Sequence, residues 1–220
     1  MGSVKGEPSA KAPSRTERAL ATRRRMMAAA YRVFSERGYA KTTMEAVATD
    51  AGVAVQTLYF TFHTKAELLQ AAYEYAVLGA DLTPPHLMDW WRAAEAEPDV
   101  TRAVGRFVDG SVEIFERAAS LAWAVGGDQD ARSAYQFNEN LRLEGNANMV
   151  AVLARKHPLR PGLTQPKARD IMLTLLGPHV FILFTRELGW TVRRYRSWAK
   201  GALLRELFAL EARAPRQSAR

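Results

Sequence analysis

Cysteine is absent from this chain of 220 residues, and its absence excludes several kinds of chemistry at once. The protein has no disulfide, no thiolate zinc site and no cysteine nucleophile, and its composition gives no sign of an oxidising compartment. No apolar run reaches the ~18 residues expected of a membrane span, and the first residues lack the apolar stretch of a signal peptide. We therefore expect a globular protein that lies in the cytoplasm and has no membrane partner.

Motifs for catalysis are missing as well. The four histidines are far apart in sequence and form no His-x-x-x-His or Glu-x-x-His pair. No Gly-x-Ser-x-Gly elbow, phosphate-binding loop or dinucleotide glycine fingerprint is present. The sequence thus predicts no enzymatic activity, no metal site and no cofactor.

Basic residues are concentrated near the amino end. The chain has 31 Lys and Arg against 23 Asp and Glu, a formal net charge of +8. Between residues 11 and 41 there are nine basic and only two acidic side chains. A surface of this kind attracts a polyanion such as DNA through counterion release, whatever the base sequence.

The pattern of apolar residues and breakers predicts an all-α fold without a credible strand pair. We expect a flexible basic arm over residues 1–14, a three-helix helix-turn-helix domain over 15–63, a larger helical ligand-binding and dimerisation domain over 64–212 and a flexible tail over 213–220. In the larger domain, helices are expected at about 99–119, 130–157, 165–188 and 191–210, and Pro178 is expected to kink the third of them.

The segment from Thr43 to Lys65 predicts a helix-turn-helix. Two short helical stretches flank a corner at residues 51–53, where Gly52 supplies a positive φ at little cost. Thr42 or Thr43 caps the first stretch, and Thr64 with Glu67 three residues later resembles a capping box for the following helix. The side chains that point inward are Met44, Val47, Ala48, Val53, Leu58 and Phe62.

The same region resembles the N-terminal signature of TetR-type (TetR/AcrR) transcriptional regulators. The resemblance covers about residues 15–69 and rests on Arg24, Met27, Ala29, Ala30, Val33, Phe34, Glu36, Gly38, Tyr39, Thr42, Thr43, Met44, Val47, Ala48, Ala51, Gly52, Val53, Thr57, Leu58, Tyr59, Phe62, Thr64 and Lys65. It implies a homodimer of helical subunits, a variable ligand pocket in the larger domain, and loss of operator affinity when an inducer binds.

For DNA binding we single out eight residues: Arg24, Thr43, Ala54, Gln56, Thr57, Tyr59, Thr61 and Lys65. Gln56 is a candidate for reading adenine in the major groove, although it can equally be exposed to solvent or touch a phosphate. Ala54 and Thr57 are placed to meet thymine methyl groups. Tyr59, Thr43 and Lys65 match positions from which the family grips phosphate. Where the family often has Gly and His, this chain has Gln56 and Thr61.

The last two helices carry more apolar residues than one inward face needs, so we expect an antiparallel hairpin that forms a dimer seam. A core that lies wholly within one chain is the alternative. The predicted interface residues are Leu175, Phe181, Phe184, Trp198, Leu203 and Leu207.

Evidence for a ligand site is a set of aromatic, apolar and polar residues that fits a hydrophobic or aromatic inducer. The candidate pocket residues are Trp90, Trp91, Phe107, Phe115, Trp123, Tyr135, Phe137, Asn138, Met149, His179 and Phe184. The sequence therefore predicts a ligand-responsive regulator, most simply a repressor of a palindromic operator. The alternative is a non-inducible or architectural DNA-binding protein, which a fully packed C-terminal domain would favour.

Overall fold

The structure, a computed structural model, describes residues 14–124 and 129–210, except for the side chains of residues 122–124, 129 and 130. Within these ranges the chain forms helices joined by turns and contains no β-strand, so the all-α prediction is confirmed. The expected arm, apart from Ser14, and the expected tail over 213–220 lie outside the described residues. The helices are α1 (Arg15–Lys41), α2 (Met44–Ala51), α3 (Val55–Thr61), α4 (Lys65–Leu78), α5 (Asp89–Ala96), α6 (Val100–Ala124), α7 (Gln129–Lys156), α8 (Gln165–Leu175), α9 (Pro178–Ile182) and α10 (Val192–Phe208), with a 3-10 turn at Pro85–Leu87 and a π-helical turn at Leu183–Glu187.

Helix α1 begins at a complete capping box. The Ser14 hydroxyl accepts a hydrogen bond from the backbone N–H of Glu17, and the Glu17 carboxylate accepts one from the backbone N–H of Ser14. Near its other end, Gly38 has φ +74° and leaves the helical conformation. Gly38 therefore breaks the helix just before the last residues of α1.

The buried residues form two clusters. The first joins α1–α4 and also takes in the end of α6 and the start of α7. The second joins α5, α6, α7, α8, α9 and α10. Helix α4 packs extensively on α1 and shares the first cluster, so the chain has a head at its amino end and a larger body that meet along α4, α6 and α7.

Hydrogen bonds tie the head to the body. The Tyr31 hydroxyl donates to the backbone carbonyl of Arg117 over 2.9 Å, and the Arg117 side chain donates to the carbonyl of Ala76 over 2.9 Å. The hydroxyls of Ser35 and Ser120 lie 3.0 Å apart. These hydrogen bonds join α6 to α1 and to the end of α4.

The single helix predicted over 165–188 is broken into three segments. Pro178 has no N–H to continue the α8 ladder, so the chain leaves the helix after Leu175 and restarts with Pro178 at the first position of α9. The Arg142 guanidinium donates to the carbonyls of Leu173 and Leu176, which the end of α8 leaves without helical partners. The predicted kink is at the correct position, but the structure has a break between two helices there instead of a bend within one helix.

The stretch Gln165–Glu187 is long and apolar enough to cross a membrane when length and composition alone are considered. This finding corrects the expectation that no run of that kind exists. The side chains of Met172, Leu176 and Ile182 are buried within the second cluster, as in core helices of soluble proteins, which pass the same test.

Helix α10 runs antiparallel to α8, as expected. Near its start, the Tyr195 hydroxyl donates to the carbonyl of Leu175 at the end of α8. Near its end, the carbonyl of Leu207 accepts from the backbone N–H of Arg160, which precedes α8. The two helices therefore form the predicted hairpin.

Three of the six predicted interface residues are corrected by the structure. Leu203 and Leu207 have 0% of their surface exposed within one chain, and Phe181 is also buried. Side chains buried in their own chain have no surface left for a second copy, so the interface prediction is wrong for these three. Leu175, Phe184 and Trp198 stay partly exposed, and the neighbouring Leu183 is 41% exposed.

Candidate nucleic-acid interface

The corner between α2 and α3 has the geometry of a helix-turn-helix. Gly52 ends α2 in the left-handed conformation with φ +64°, and its N–H donates to the carbonyls of Ala48 and Thr49. The N–H of Val53 donates to the carbonyl of Ala48 over 3.0 Å. This pattern closes α2 and sends the chain directly into α3, which confirms the role expected of Gly52.

Helix α3 is anchored on one side and exposed on the other. Leu58 and the following Phe62 are buried in the head cluster, which confirms their assignment to packing. Gln56, Thr57 and Tyr59 are exposed. The helix thus offers its polar candidates to solvent while two large apolar side chains hold its orientation.

Two threonines among the candidates are partly engaged within the protein. The Thr43 hydroxyl caps α2 by accepting from the N–H of Ala46, which leaves its own hydrogen available to a phosphate. The Thr61 hydroxyl donates to the carbonyl of Thr57 one turn earlier. Ala54 is the N-cap of α3 and is exposed, without a side-chain capping bond.

Lys65 has an internal role that the sequence did not indicate. Its ammonium donates to the carbonyls of Tyr39 and Thr42 over 2.9 and 3.2 Å and lies 4.1 Å from the centroid of the Tyr39 ring. Because an ammonium has three hydrogens, one remains for another acceptor. Lys65 therefore joins α4 to the turn between α1 and α2 at the point from which it is expected to meet phosphate.

Helix α1 supplies exposed positive charge beside α3. Arg23, Arg24 and Arg25 are exposed, and the Arg23 guanidinium lies 4.6 Å from the centroid of the buried Phe62 ring. In contrast, Arg32 forms an ion pair of 2.7 Å with Asp50 and contributes less net charge. The positive surface is thus strongest around residues 23–25.

Capping of α4 follows the expected box only in part. The Thr64 hydroxyl accepts from the N–H of Glu67, as predicted. The Glu67 carboxylate accepts from the backbone N–H and lies 3.2 Å from the ring Nδ1 of His63, one residue before the cap. Glu67 has therefore turned towards His63.

Phe60 is a surface residue that sequence reasoning missed. It lies on α3 and is 85% exposed, more than the other large hydrophobic side chains described as exposed. The sequence does contain a signal for this exposure. Phe60 is two residues from each of the inward-facing Leu58 and Phe62, and a spacing of two places a residue on the far side of a helix.

The candidate pocket residues do not gather around one space. Trp90, Trp91 and Phe107 pack ring against ring with centroids 5.5–5.9 Å apart, while Phe115 lies 6.0 Å from Phe181 in another part of the body. Met149 is buried in the same core cluster, and Phe184 packs against Trp190 and Trp198 at the hairpin.

Two further pocket candidates are accounted for separately. Phe137 is 52% exposed on the outer side of α7, so its assignment to an enclosed pocket is wrong. The side chain of Trp123 lies outside the described residues.

The remaining three candidates lie where α7 meets α4 and α9. The Tyr135 hydroxyl is 2.7 Å from Nε2 of His179, and the Asn138 amide donates to Oε1 of Gln70 on α4. Tyr73, three residues after Gln70, is 4% exposed, and burial raises the pKa of its phenol. In the described part of the chain neither the Tyr73 hydroxyl nor Nε2 of Gln70 has a hydrogen-bond partner.

Comparison with known proteins shows similarity of sequence near the amino end and similarity of fold over most of the chain. Residues 26–72 match the family described as bacterial regulatory proteins, tetR family. The HTH-type transcriptional regulator TtgR of Pseudomonas putida is 39% identical over 84 residues, which are 38% of this chain and 37% of TtgR. This match therefore spans little more than a third of either protein.

The fold likeness extends over most of the chain. The transcriptional regulator FadR of Bacillus subtilis, crystallised in complex with stearoyl-CoA, has a TM-score of 0.68 at 13% identity, over 83% of this chain and 97% of FadR. NalD, the secondary repressor of the MexAB-OprM multidrug efflux pump in Pseudomonas aeruginosa, has a TM-score of 0.63 at 19% identity, over 87% of this chain and 98% of NalD. The arrangement of head and body is thus shared well beyond the matched N-terminal residues.

Proposed function

The N-terminal domain of this chain belongs to the tetR family of bacterial regulatory proteins, and from that premise we propose that the protein is a ligand-responsive transcriptional repressor of the cytoplasm. In this proposal it binds a palindromic operator as a homodimer and is released by a hydrophobic or aromatic inducer. The single observation that carries the proposal is the head itself. Leu58 and Phe62 hold α3 so that Gln56, Thr57 and Tyr59 face outward, and α1 adds three exposed arginines, of which Arg23 lies against the Phe62 ring.

The separation between the uncharged face of α3 and the basic side chains outside it supports binding of duplex DNA. Between Ala51 and Phe62 the chain carries no formal charge, so attraction to the backbone comes from Arg23, Arg24, Arg25 and Lys65. These groups position the head without selecting a sequence. Gln56 is the polar side chain on the outward face of α3 whose amide can pair with an adenine edge through two hydrogen bonds at once.

A homodimer explains how so short a reading helix selects a site. Two heads about 34–36 Å apart would meet successive major-groove turns of a palindrome. The face that remains available is formed by the partly exposed apolar side chains of the hairpin, namely Leu175, Val180, Leu183, Phe184 and Trp198. A helical dimer seam requires exposed apolar side chains of this kind.

The inducer part of the proposal is supported by the polar groups between α4 and α7. Leaving a buried hydroxyl without a partner costs free energy, and a ligand with a hydrogen-bond acceptor removes that cost when it binds. Tyr73 and Gln70 belong to α4, which also packs on α1, so an effector at this place would act directly on the head. FadR, whose fold is similar, was crystallised with stearoyl-CoA, a ligand that carries a long apolar acyl chain.

Two substitutions on α3 test the DNA-binding proposal. Tyr59→Ala is expected to weaken binding by a similar factor on every duplex, because a phosphate contact carries no sequence information. Gln56→Ala is expected to change the preference among sites, because a bidentate contact to adenine is worth about 1–3 kcal/mol of discrimination. Titration of both variants against a panel of half-site sequences measures this, and unaltered site selection by Gln56→Ala would remove Gln56 from base reading.

Two buried tyrosines form a matched pair that tests the proposed effector contact. Without ligand, Tyr73→Phe is expected to leave the free energy of unfolding unchanged or to raise it, because the lost hydroxyl had no partner. Tyr195→Phe is expected to lower it by about 1 kcal/mol, because the Tyr195 hydroxyl donates to the carbonyl of Leu175. Urea unfolding measures both values, and equal losses would show that the Tyr73 hydroxyl is already satisfied.

A second candidate function is a DNA-binding protein without an inducer. It is favoured by the close packing of Phe107, Phe115 and Met149 in the core. Thermal denaturation with a panel of apolar and aromatic compounds separates the two functions. A compound that raises the melting temperature and releases DNA supports the sensor, and a panel that does neither supports the non-inducible protein.

A further inference from the structure

The exposed ring of Phe60 is the most unusual feature of the proposed DNA surface. A phenylalanine at 85% exposure contributes nothing to the core of the head, and its ring has no hydrogen-bonding atom. Large apolar side chains that stand free on a binding surface commonly become buried only when a partner covers them. Its position on the recognition helix indicates which partner that is.

The geometry of α3 places Phe60 in the middle of the outward face. On a helix, residues three and four apart are neighbours, so Phe60 adjoins both Thr57 and Gln56. All three side chains are exposed, and the buried Leu58 and Phe62 lie on the opposite side. The ring therefore stands between the two side chains that the proposed function assigns to the base edges.

The charges around α3 show where the DNA backbone would run. Arg23, Arg24 and Arg25 are exposed on α1, and Arg23 lies against the buried ring of Phe62 at the end of α3. Lys65 follows at the start of α4 and keeps one hydrogen for an acceptor. When these flanking groups bind phosphates, the uncharged outer face of α3 lies against the floor of the groove.

The floor of the major groove offers an apolar contact through the C5-methyl group of thymine, for which phenylalanine is a known partner. The Phe60 ring has no hydrogen-bond donor and so cannot bind a phosphate. The positioning role expected of Tyr59 is therefore excluded for Phe60. We propose that Phe60 is a specificity-determining residue that covers a thymine methyl group in each half-site. This inference rests on the proposed function, because it requires that α3 enters the major groove.

The experiment uses operator duplexes, obtained by selection with the full-length protein, in which each thymine is replaced in turn by uracil. Uracil pairs as thymine does and lacks only the C5-methyl group. For the unaltered protein we expect affinity to fall about fourfold at the covered position of one half-site, and roughly fifteenfold when both half-sites are substituted, since each covered methyl adds one buried carbon. If selection enriches no duplex, the proposed function fails together with this inference.

Variants at neighbouring positions identify the side chain responsible. With Phe60→Ala we expect weaker binding to the thymine duplex and equal binding to the thymine and uracil duplexes at that position. Phe60→Leu, which keeps an apolar group, is expected to retain part of the discrimination. Because Phe60 is exposed, these variants should unfold at the same temperature as the parent, which circular dichroism checks.

Thr57→Ser is the matched control, since it removes only the methyl group of a neighbouring side chain that, like Ala54, is placed to meet a thymine. If Phe60 covers the methyl, Thr57→Ser keeps the difference between thymine and uracil at the assigned position. Operator binding with no difference between thymine and uracil at any position would overturn the inference and leave the proposed function standing. The inference also fails if Phe60→Ala keeps the discrimination and Thr57→Ser loses it.

Discussion

Leu183→Asp is expected to convert the protein from a dimer to a monomer and to lower its affinity for a palindromic operator by about 100- to 10,000-fold. The factor is large because two linked heads bind the second half-site at a high effective concentration, whereas a single head binds one half-site alone. Analytical ultracentrifugation gives the mass of the variant, and titration of an operator duplex gives its affinity.

The structure makes Leu183 a better choice for this test than the side chains buried below it. Leu183 is 41% exposed within one chain, so an aspartate there stays solvated and the monomer should remain folded. The same change at Leu207, which has no exposed surface, would place a charge in the core and unfold the body. A monomeric Leu207→Asp variant would result from unfolding of the body and would not test the dimer seam.

Leu87→Asp is the matched control, because Leu87 is another exposed leucine and lies in the 3-10 turn between α4 and α5. It should remain dimeric and bind the operator as the parent does. A dimeric Leu183→Asp variant with parental affinity would contradict the assignment of the seam to this face of the hairpin.

Leu58→Ala is expected to abolish specific DNA binding while the body stays folded and dimeric. Leu58 is fully buried and anchors the seven-residue helix α3, which is too short to be stable by itself. Truncating a buried leucine to alanine costs about 2–5 kcal/mol. That loss falls on the cluster of the head, which is separate from the cluster of the body.

Hydrogen exchange followed by mass spectrometry locates the effect of Leu58→Ala. Faster exchange is expected in α2 and α3, with unchanged exchange in α8 and α10. Leu20→Ala serves as the control, because Leu20 is more than half exposed on α1 and its truncation should change stability by less than about 0.5 kcal/mol. Specific operator binding by Leu58→Ala at parental affinity would show that α3 does not depend on this anchor.

The helices of the head could be predicted from sequence because local signals agreed with each other. Gly52 marks a turn that needs a positive φ, Thr43 and Thr64 cap the helices that follow them, and Leu58 and Phe62 share one face. Each signal acts over a few residues. Contacts with the rest of the chain were therefore not needed to predict the helices of the head.

Features that depend on distant contacts were not predictable in the same way. The apolar residues of 165–188 read as one helix, yet Pro178 and the Arg142 side chain end α8 at Leu175 and begin α9. Periodicity also did not show which apolar face of α10 is covered by its own chain, and Leu203 and Leu207 turned out to lie there.

The roles of individual side chains in the head were harder to predict from sequence than its helices. The two carbonyls bound by Lys65 lie 23 and 26 residues earlier in the chain, and no local pattern connects them. Phe60 could have been found from its spacing to Leu58 and Phe62.

The most direct measurement is a fluorescence titration of the purified full-length protein with duplexes selected from genomic fragments, repeated over a series of salt concentrations. We expect two heads per palindromic site, and an affinity that falls steeply and linearly on logarithmic axes as salt rises, because exposed arginines and Lys65 displace counterions. A protein that associates with neither genomic nor random duplexes at low ionic strength would show that α3 does not enter duplex DNA.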